Sequence, residues 1–293
     1  MPDARAGGGP LRLDPSPLRR DEAGGLDCAP VAGRVYVERD PADARIAWML
    51  FDHPERRNAV TLEMWQRIPE LAAELDTDPD VRVVVLRGAG EQAFVAGADI
   101  SQFGAARTGD AAGDYDRLNG RAFEALGGIG KPVIAMIHGF CVGGGVALAL
   151  TADVRYASPE SVFAVPAARL GLGYQMSGLD TLCRLVGPSR AQEIFFTARR
   201  FSADEAHGFG LLNEIIPAES LEARVREIAS GIADNAPLTL ASVKCIVREL
   251  GVPAAERDMD AVTQSIRRCF ESEDYREGVQ AFMDKRPPRF QGR

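Results

Sequence analysis

The chain has 293 residues, 46% of them hydrophobic, enough for one large domain or two small ones with a sizeable core. A formal net charge of -8 argues against a general nucleic-acid scaffold, which would be basic. Five scattered cysteines with no CxxC pair, and three histidines (His53, His138, His207) without ligand spacing, argue against a disulfide framework or a metal site and for a reducing compartment.

Residues 1–33 are rich in Gly and Pro and carry no apolar period, which predicts a disordered tail. Their mixed acids and arginines differ from an acid-poor transit peptide, so a cytoplasmic location is expected. Order is expected from Val35, with "RVYVER" and "RIAWMLFD" as strands around the turn "DPADA". Thr61 reads as the N-cap of a helix running toward Leu75, with Pro69 kinking or restarting it. "VRVVVLRG" and "PVIAMI" read as buried strands, the second followed by a glycine turn and a helix from about Gly144. The apolar run 133–152 is long enough to suggest a membrane span, but it contains His138 and four glycines between Lys131 and Asp153, so strand, turn and buried helix fit better. "VRYA" and "SVFAV" are short strands; helices follow at Ser177–Val186 and Pro188–Ala198, and Ser202 with Glu205 spells a capping box. "LLNEII" closes this part as a strand. After Pro217 the pattern is wholly helical, with Leu221, Val225, Ile228 and Ile232 on one face and Tyr275, Val279, Phe282 and Met283 on another. The predicted organisation is a tail (1–33), an α/β core (34–217) and a C-terminal helical module (218–293).

Two segments are suited to backbone chemistry. "AFVAGADI" (93–100) has small residues at Ala96, Gly97 and Ala98 that admit a ligand to the main chain. Gly143-Gly144-Gly145 opens a helix, where peptide dipoles leave the N–H groups partly positive. Two such donors converging on one carbonyl oxygen would stabilise an enolate, each worth roughly 3 kcal/mol in the transition state.

The ordered set "HPERRNAV", "AFVAGADI", "KPVIAMIHGFCVGGG", "TADVRYAS", "FTARRFSADEAHGFGLLNEIIP" and "SEDYREGVQAFMDKRPPRF" resembles the crotonase (enoyl-CoA hydratase/isomerase) superfamily over about residues 35–290. The resemblance implies a (ββα) spiral core with a C-terminal oligomerisation module, a trimer or hexamer, and an acyl-CoA substrate with no separate cofactor, nucleic acid or membrane partner. It implies that the N–H groups of Ala98 and Gly144, with Gly143 beside them, form an oxyanion hole. It implies that the backbone at Ala96 and Ala98 holds adenine and that Arg57, Asn58 and Ala59 line the CoA channel. Phe282 and Lys285 would approach the neighbouring subunit's CoA. The lysine that commonly follows AGADI is replaced by Ser101.

Hydratases of the superfamily use two glutamates, whose positions here are Ala147 and Ala167; the Asp of isomerases and dehalogenases falls on Gln175. Adding water needs a base and an acid, and methyl groups are neither. "LGLGYQMSGL" and the C-terminal segment are similar to methylmalonyl-CoA decarboxylase-like members, although these carry His at the Ala98 position and Glu at the Ala147 position. Decarboxylation generates its own carbanion, so the hole only has to stabilise the enolate. Tyr174, neutral at pH 7, could then hydrogen-bond the carboxylate or return a proton. The leading expectation is therefore a decarboxylase-type lyase on a malonyl-like CoA. The alternatives are an enoyl-CoA hydratase/isomerase and a non-catalytic acyl-CoA binder.

Overall fold

The structure, a computed structural model, describes residues 33–99, 110–174 and 176–293. The expected start of order, Val35, lies in β1 (Arg34–Arg39), which pairs antiparallel with β2 (Ile46–Asp52). The sheet continues in parallel through β3 (Val83–Gly88), β5 (Val133–Ile137), β7 (Val154–Ala157) and β10 (Glu214–Ile215), in the order β1-β2-β3-β5-β7-β10. A second sheet holds β4 (Ala93–Val95), β6 (Phe140–Val142), β8 (Val162–Ala164) and β9 (Phe201–Ser202).

The central strands are apolar throughout because they are covered on both sides. Alternate residues sort into two cores, as the period of two requires. Met49, Phe51, Val84, Leu86, Ala135 and Ile137 join the larger core with α1 (Leu62–Thr77). Ile46, Trp48, Val83, Val85, Ile134 and Met136 join the smaller one, capped by Leu221, Val225, Ala229 and Ala233 of α8 (Ala218–Ala233). The 217/218 boundary drawn from the sequence thus runs through a shared core, and residues 33–293 form one compact unit.

Thr61 caps α1 by accepting the Met64 N–H at 3.3 Å. The restart that Pro69 was expected to impose as one of two outcomes does not occur: α1 stays one element across it, its face of Met64, Trp65, Ile68, Leu71 and Leu75 buried. Packing outweighs the local cost of the proline. The sequence reading passed over α2 (Asp110–Gly128), the short strands β4 and β6, and α4 (Ala167–Leu170). The helix after the glycines is α3 (Gly144–Thr151); α5 (Met176–Val186), α6 (Pro188–Thr197) and α7 (Ala203–Gly208) follow, the last with both bonds of the Ser202/Glu205 capping box. Only Glu214 and Ile215 of "LLNEII" are strand.

The C-terminal helices are α9 (Pro237–Leu250), α10 (Met259–Glu271) and α11 (Glu273–Asp284). The apolar face expected on α11 faces outward: Tyr275, Val279, Phe282 and Met283 are exposed, Phe282 by 83%.

Candidate active site

The loop 96–98 and the start of α3 lie side by side because three glycines leave room for it. Gly143 has φ 54° and ψ −111°, a conformation costly for any side chain. At Gly145 a Cβ would fall 2.0 Å from the Val95 carbonyl oxygen, so the helix begins in backbone contact with β4. Gly144 between them is open: its Cβ would stand 3.6 Å from both the Ala98 nitrogen and Trp65 Cζ2. On the other segment, Gly97 has φ 109°, and its own Cβ would come 4.0 Å from the Gly144 nitrogen.

The hydrogen-bond pattern aims the two donors. Val60 forms a parallel bridge to Ala98 by donating to Gly97 O at 2.9 Å and accepting from Asp99 N at 3.0 Å. In such a bridge the N–H of Ala98 points away from Val60, and the Ala98 nitrogen lies 3.6 Å from where a Gly144 Cβ would stand. Gly144 is the first residue of α3, and the first backbone bond of that helix is Ala147 N to Gly143 O, so the Gly144 N–H has no backbone carbonyl partner among the described residues. Ala98 and Gly144 line one cavity of about 200 Å³. Ala96, Gly143, Ala147, Ala167 and Tyr174 line it too. Ala147 and Ala167 therefore stand at the wall as methyl groups, 8% and 6% exposed. Tyr174 packs edge-on against Phe195, ring centroids 4.7 Å apart.

Other expected site residues lie elsewhere. Asn58 does not line a channel: it is buried, its amide donates to Ala89 O at 2.9 Å and Ala93 O at 2.7 Å, and it accepts from His53 N. It is a brace for the strand that leads to Ala98. Ala59 is buried as well, its carbonyl 3.0 Å from His53 Nδ1. Arg57 is exposed with φ 52°, its carbonyl accepts the Ala96 N–H, and its guanidinium lies 4.7 Å from the Phe140 ring centre. Because Ala96 spends its N–H on Arg57, any contact with adenine there falls to its carbonyl. Phe282 and Lys285 do not reach this chain's cavity; Phe282 lines a separate groove on the C-terminal helices with Phe270, Tyr275, Val279 and Met283. Ser101 and Gln175 lie outside the described residues.

Sequence reasoning missed the opposite wall. Asp116, Asn119, Gly120 and Phe123 of α2 line the cavity, as does Trp65 of α1. Their spacing, i, i+3, i+4, i+7, is one helical stripe. Buried Tyr115, Ala122 and Leu126 of the same helix pack into the larger core, and that period was the signal available for finding it. Burial pushes the Cys141 thiol well above its ordinary range and the His138 imidazole below its own, and neither residue lines the cavity. Among the described residues no group of three or more His, Cys, Asp or Glu converges to hold a metal ion, and no helix is long and apolar enough to cross a membrane.

The enoyl-CoA hydratase/isomerase family profile matches residues 42–293. The chain belongs to this family. It is similar to the short-chain-enoyl-CoA hydratase of Clostridium acetobutylicum, 32% identical over 86% of this chain and 95% of that one. It is also similar to the peroxisomal Delta(3,5)-Delta(2,4)-dienoyl-CoA isomerase of Arabidopsis thaliana, 33% identical over 87% and 96%. Among solved structures it resembles an enoyl-CoA hydratase/carnithine racemase from Magnetospirillum magneticum, with a TM-score of 0.83 and 33% identity over 88% of this chain and 96% of that one. Family membership thus stands on the whole folded unit.

Proposed function

We propose that this chain stabilises the thioester enolate of a short acyl-CoA and carries out enoyl-CoA hydratase/isomerase-type chemistry. The observation that carries this reading is that Ala98 and Gly144, the two expected backbone donors, line one small cavity side by side. Two donors fixed before the substrate arrives favour the charge that develops on the thioester oxygen. A cavity of about 200 Å³ is below the roughly 300–1,000 Å³ common for drug-sized ligands, which suits a short acyl group with the rest of CoA outside. Arg57, and Arg200 on the same Phe140 ring, offer positive charge for the phosphates.

The relatives' names support hydratase/isomerase chemistry over the decarboxylase-type lyase that the sequence first suggested. Ala147 and Ala167 still mean that protons move without the two glutamates, and Tyr174 on the cavity wall is the candidate carrier. Decarboxylation remains a second reading for one reason: apolar walls at 147 and 167 favour a step that needs no base. We further propose that the exposed face of Tyr275, Val279, Phe282 and Met283 is covered by other copies of the chain in a trimer or hexamer. The deciding experiment incubates the protein with crotonyl-, malonyl-, methylmalonyl- and ethylmalonyl-CoA in D2O and reads products by mass. Water addition or deuterium exchange on crotonyl-CoA supports the main reading; loss of CO2 from a malonyl-type thioester alone overturns it in favour of the second. Binding without turnover of any of the four makes the chain a carrier.

A further inference from the structure

Gly120 stands in the middle of α2, where a glycine weakens a helix, and neither conformation nor packing demands one there. Its backbone is ordinary helix and not one of the positive-φ positions. A Cβ at Gly120 would meet nothing within 4 Å, whereas at Gly145 it would strike a carbonyl at 2.0 Å. What sets Gly120 apart is its place: it lines the cavity between Asp116 and Phe123, about one turn from each. The core side of α2 belongs to Tyr115, Ala122 and Leu126, on the far face of the helix. The open space beside Gly120 is therefore cavity. The stripe also leads away from the oxyanion hole. Trp65 adjoins Gly144 through Cζ2 and packs edge-on against Phe123, ring centroids 5.3 Å apart. Gly120 comes one turn beyond Phe123, and Asp116, exposed and charged, one turn beyond Gly120.

We propose that Gly120 is the residue that sets the accepted acyl length; this rests on the acyl-CoA reading above. A chain held by its thioester at the hole passes Trp65 and Phe123 and then lies on bare backbone at Gly120. The missing side chain admits the last carbons of a hexanoyl-length group, a place that a butyryl group does not reach. Any side chain at this position would fill the same space, so a substitution shortens the accepted chain while it strengthens the helix. Asp116 ends the apolar path, because covering a carboxylate with hydrocarbon strips it of water.

The test is calorimetric binding of free CoA, butyryl-CoA and hexanoyl-CoA to the full chain and to Gly120→Ala, Gly120→Leu and Gly127→Ala, which does not depend on turnover. Gly127, in the same helix, has equally empty surroundings but does not line the cavity. The unaltered chain should bind hexanoyl-CoA about 15-fold tighter than butyryl-CoA, at about fourfold per buried methylene. Gly120→Leu should erase that gain, and Gly120→Ala should cut it by about fourfold. Both should leave butyryl-CoA and free CoA unchanged and melt at or above the temperature of the unaltered chain; Gly127→Ala should keep the full ratio. The proposal is overturned if hexanoyl-CoA binds no tighter than butyryl-CoA, or if the gain survives Gly120→Leu. It is also overturned if Gly120→Leu weakens all three compounds alike, which would lay the arm of CoA itself on α2. If Gly120→Leu fails to fold, Gly120→Ala carries the test, and a lower melting temperature in Gly120→Ala overturns the proposal by showing that the fold itself needs the glycine. Failure of all three compounds to bind the unaltered chain would instead overturn the acyl-CoA reading.

Discussion

Replacing Gly144 by alanine tests the oxyanion hole with the least disturbance elsewhere. The added methyl carbon would lie 3.6 Å from the Ala98 nitrogen and 3.6 Å from Trp65 Cζ2, both ordinary contacts, so the backbone need not move. Gly144 is the first residue of α3, and alanine is the better helix former by about 0.5–1 kcal/mol in a helix interior. Stability should therefore hold or rise. The substrate is affected differently. An oxygen accepting from both N–H groups sits about 2.9 Å from each nitrogen. The new methyl, bonded to the same Cα as one nitrogen and close to the other, takes up that space. Losing one oxyanion donor costs roughly 100- to 1,000-fold in kcat, and crowding the shared oxygen weakens two. We expect kcat/KM for the acyl-CoA found in the substrate panel to fall at least about 100-fold. Free CoA, which has no thioester carbonyl, should bind as before. Circular dichroism and the melting temperature establish the fold; stopped assays with mass readout give the rate. A folded variant with wild-type turnover would refute the placement of the hole at Ala98 and Gly144.

Restoring the two acids, Ala147→Glu with Ala167→Glu, should raise crotonyl-CoA hydration by about 100-fold or more if the scaffold is otherwise that of a hydratase. No gain in a folded, CoA-binding variant would assign the block to the shape of the cavity. Tyr174→Phe removes a hydroxyl and keeps the ring on Phe195; a transition-state hydrogen bond to a charged group is worth about 1.5–3 kcal/mol, so kcat should drop roughly 10- to 150-fold with CoA affinity little changed. Unchanged kcat makes it a packing residue. Phe282→Asp with Met283→Asp should shift the chain to a monomer in sedimentation; an unaltered oligomer would move the interface elsewhere. Burial holds the His138 imidazole below its ordinary pKa, so the unfolded chain takes up this proton first as pH falls. The associated stability is present above the unfolded pKa of about 6.5 and lost as pH drops below it. His138→Gln should flatten the fall of melting temperature between about pH 7 and about pH 5, and an identical slope would exclude this residue as its cause.

The strands were legible because their apolar runs lie between turn residues, and the caps at Thr61 and Ser202 because capping is local chemistry. The glycines 143–145 signalled a close backbone approach, yet only the three-dimensional contact separates their tasks: conformation at 143, an open donor at 144, contact with Val95 at 145. Asn58 was misassigned because sequence proximity to Arg57 does not reveal that its side chain turns inward. The α2 wall was missed because Gly120 and Asn119 interrupt the helical pattern at the positions that face the cavity. A glycine or a polar residue on the cavity face, such as Gly120 or Asn119, weakens the periodic signal that would locate the helix. The outward face of α11 was periodic and visible, but periodicity alone does not say whether the partner is the same chain or another copy.

The seam at Gly145 has a consequence for heat. Its backbone meets Val95, and Gly139 meets Gln92 just as closely, a Cβ at either glycine falling 2.0 Å from the facing carbonyl oxygen. β4 and the segment from Gly139 to α3 are thus fastened together at two points, one of them next to the two amides. With Ala98 also bridged to Val60, the amides should stay together while the surrounding sheet survives. Warming should leave the rate constant per folded molecule rising smoothly until the chain melts, and inactivation and melting should share one midpoint. Adaptation to a colder or hotter setting would then act through the loops that admit the thioester and through the contacts between copies, with the amide pair left untouched.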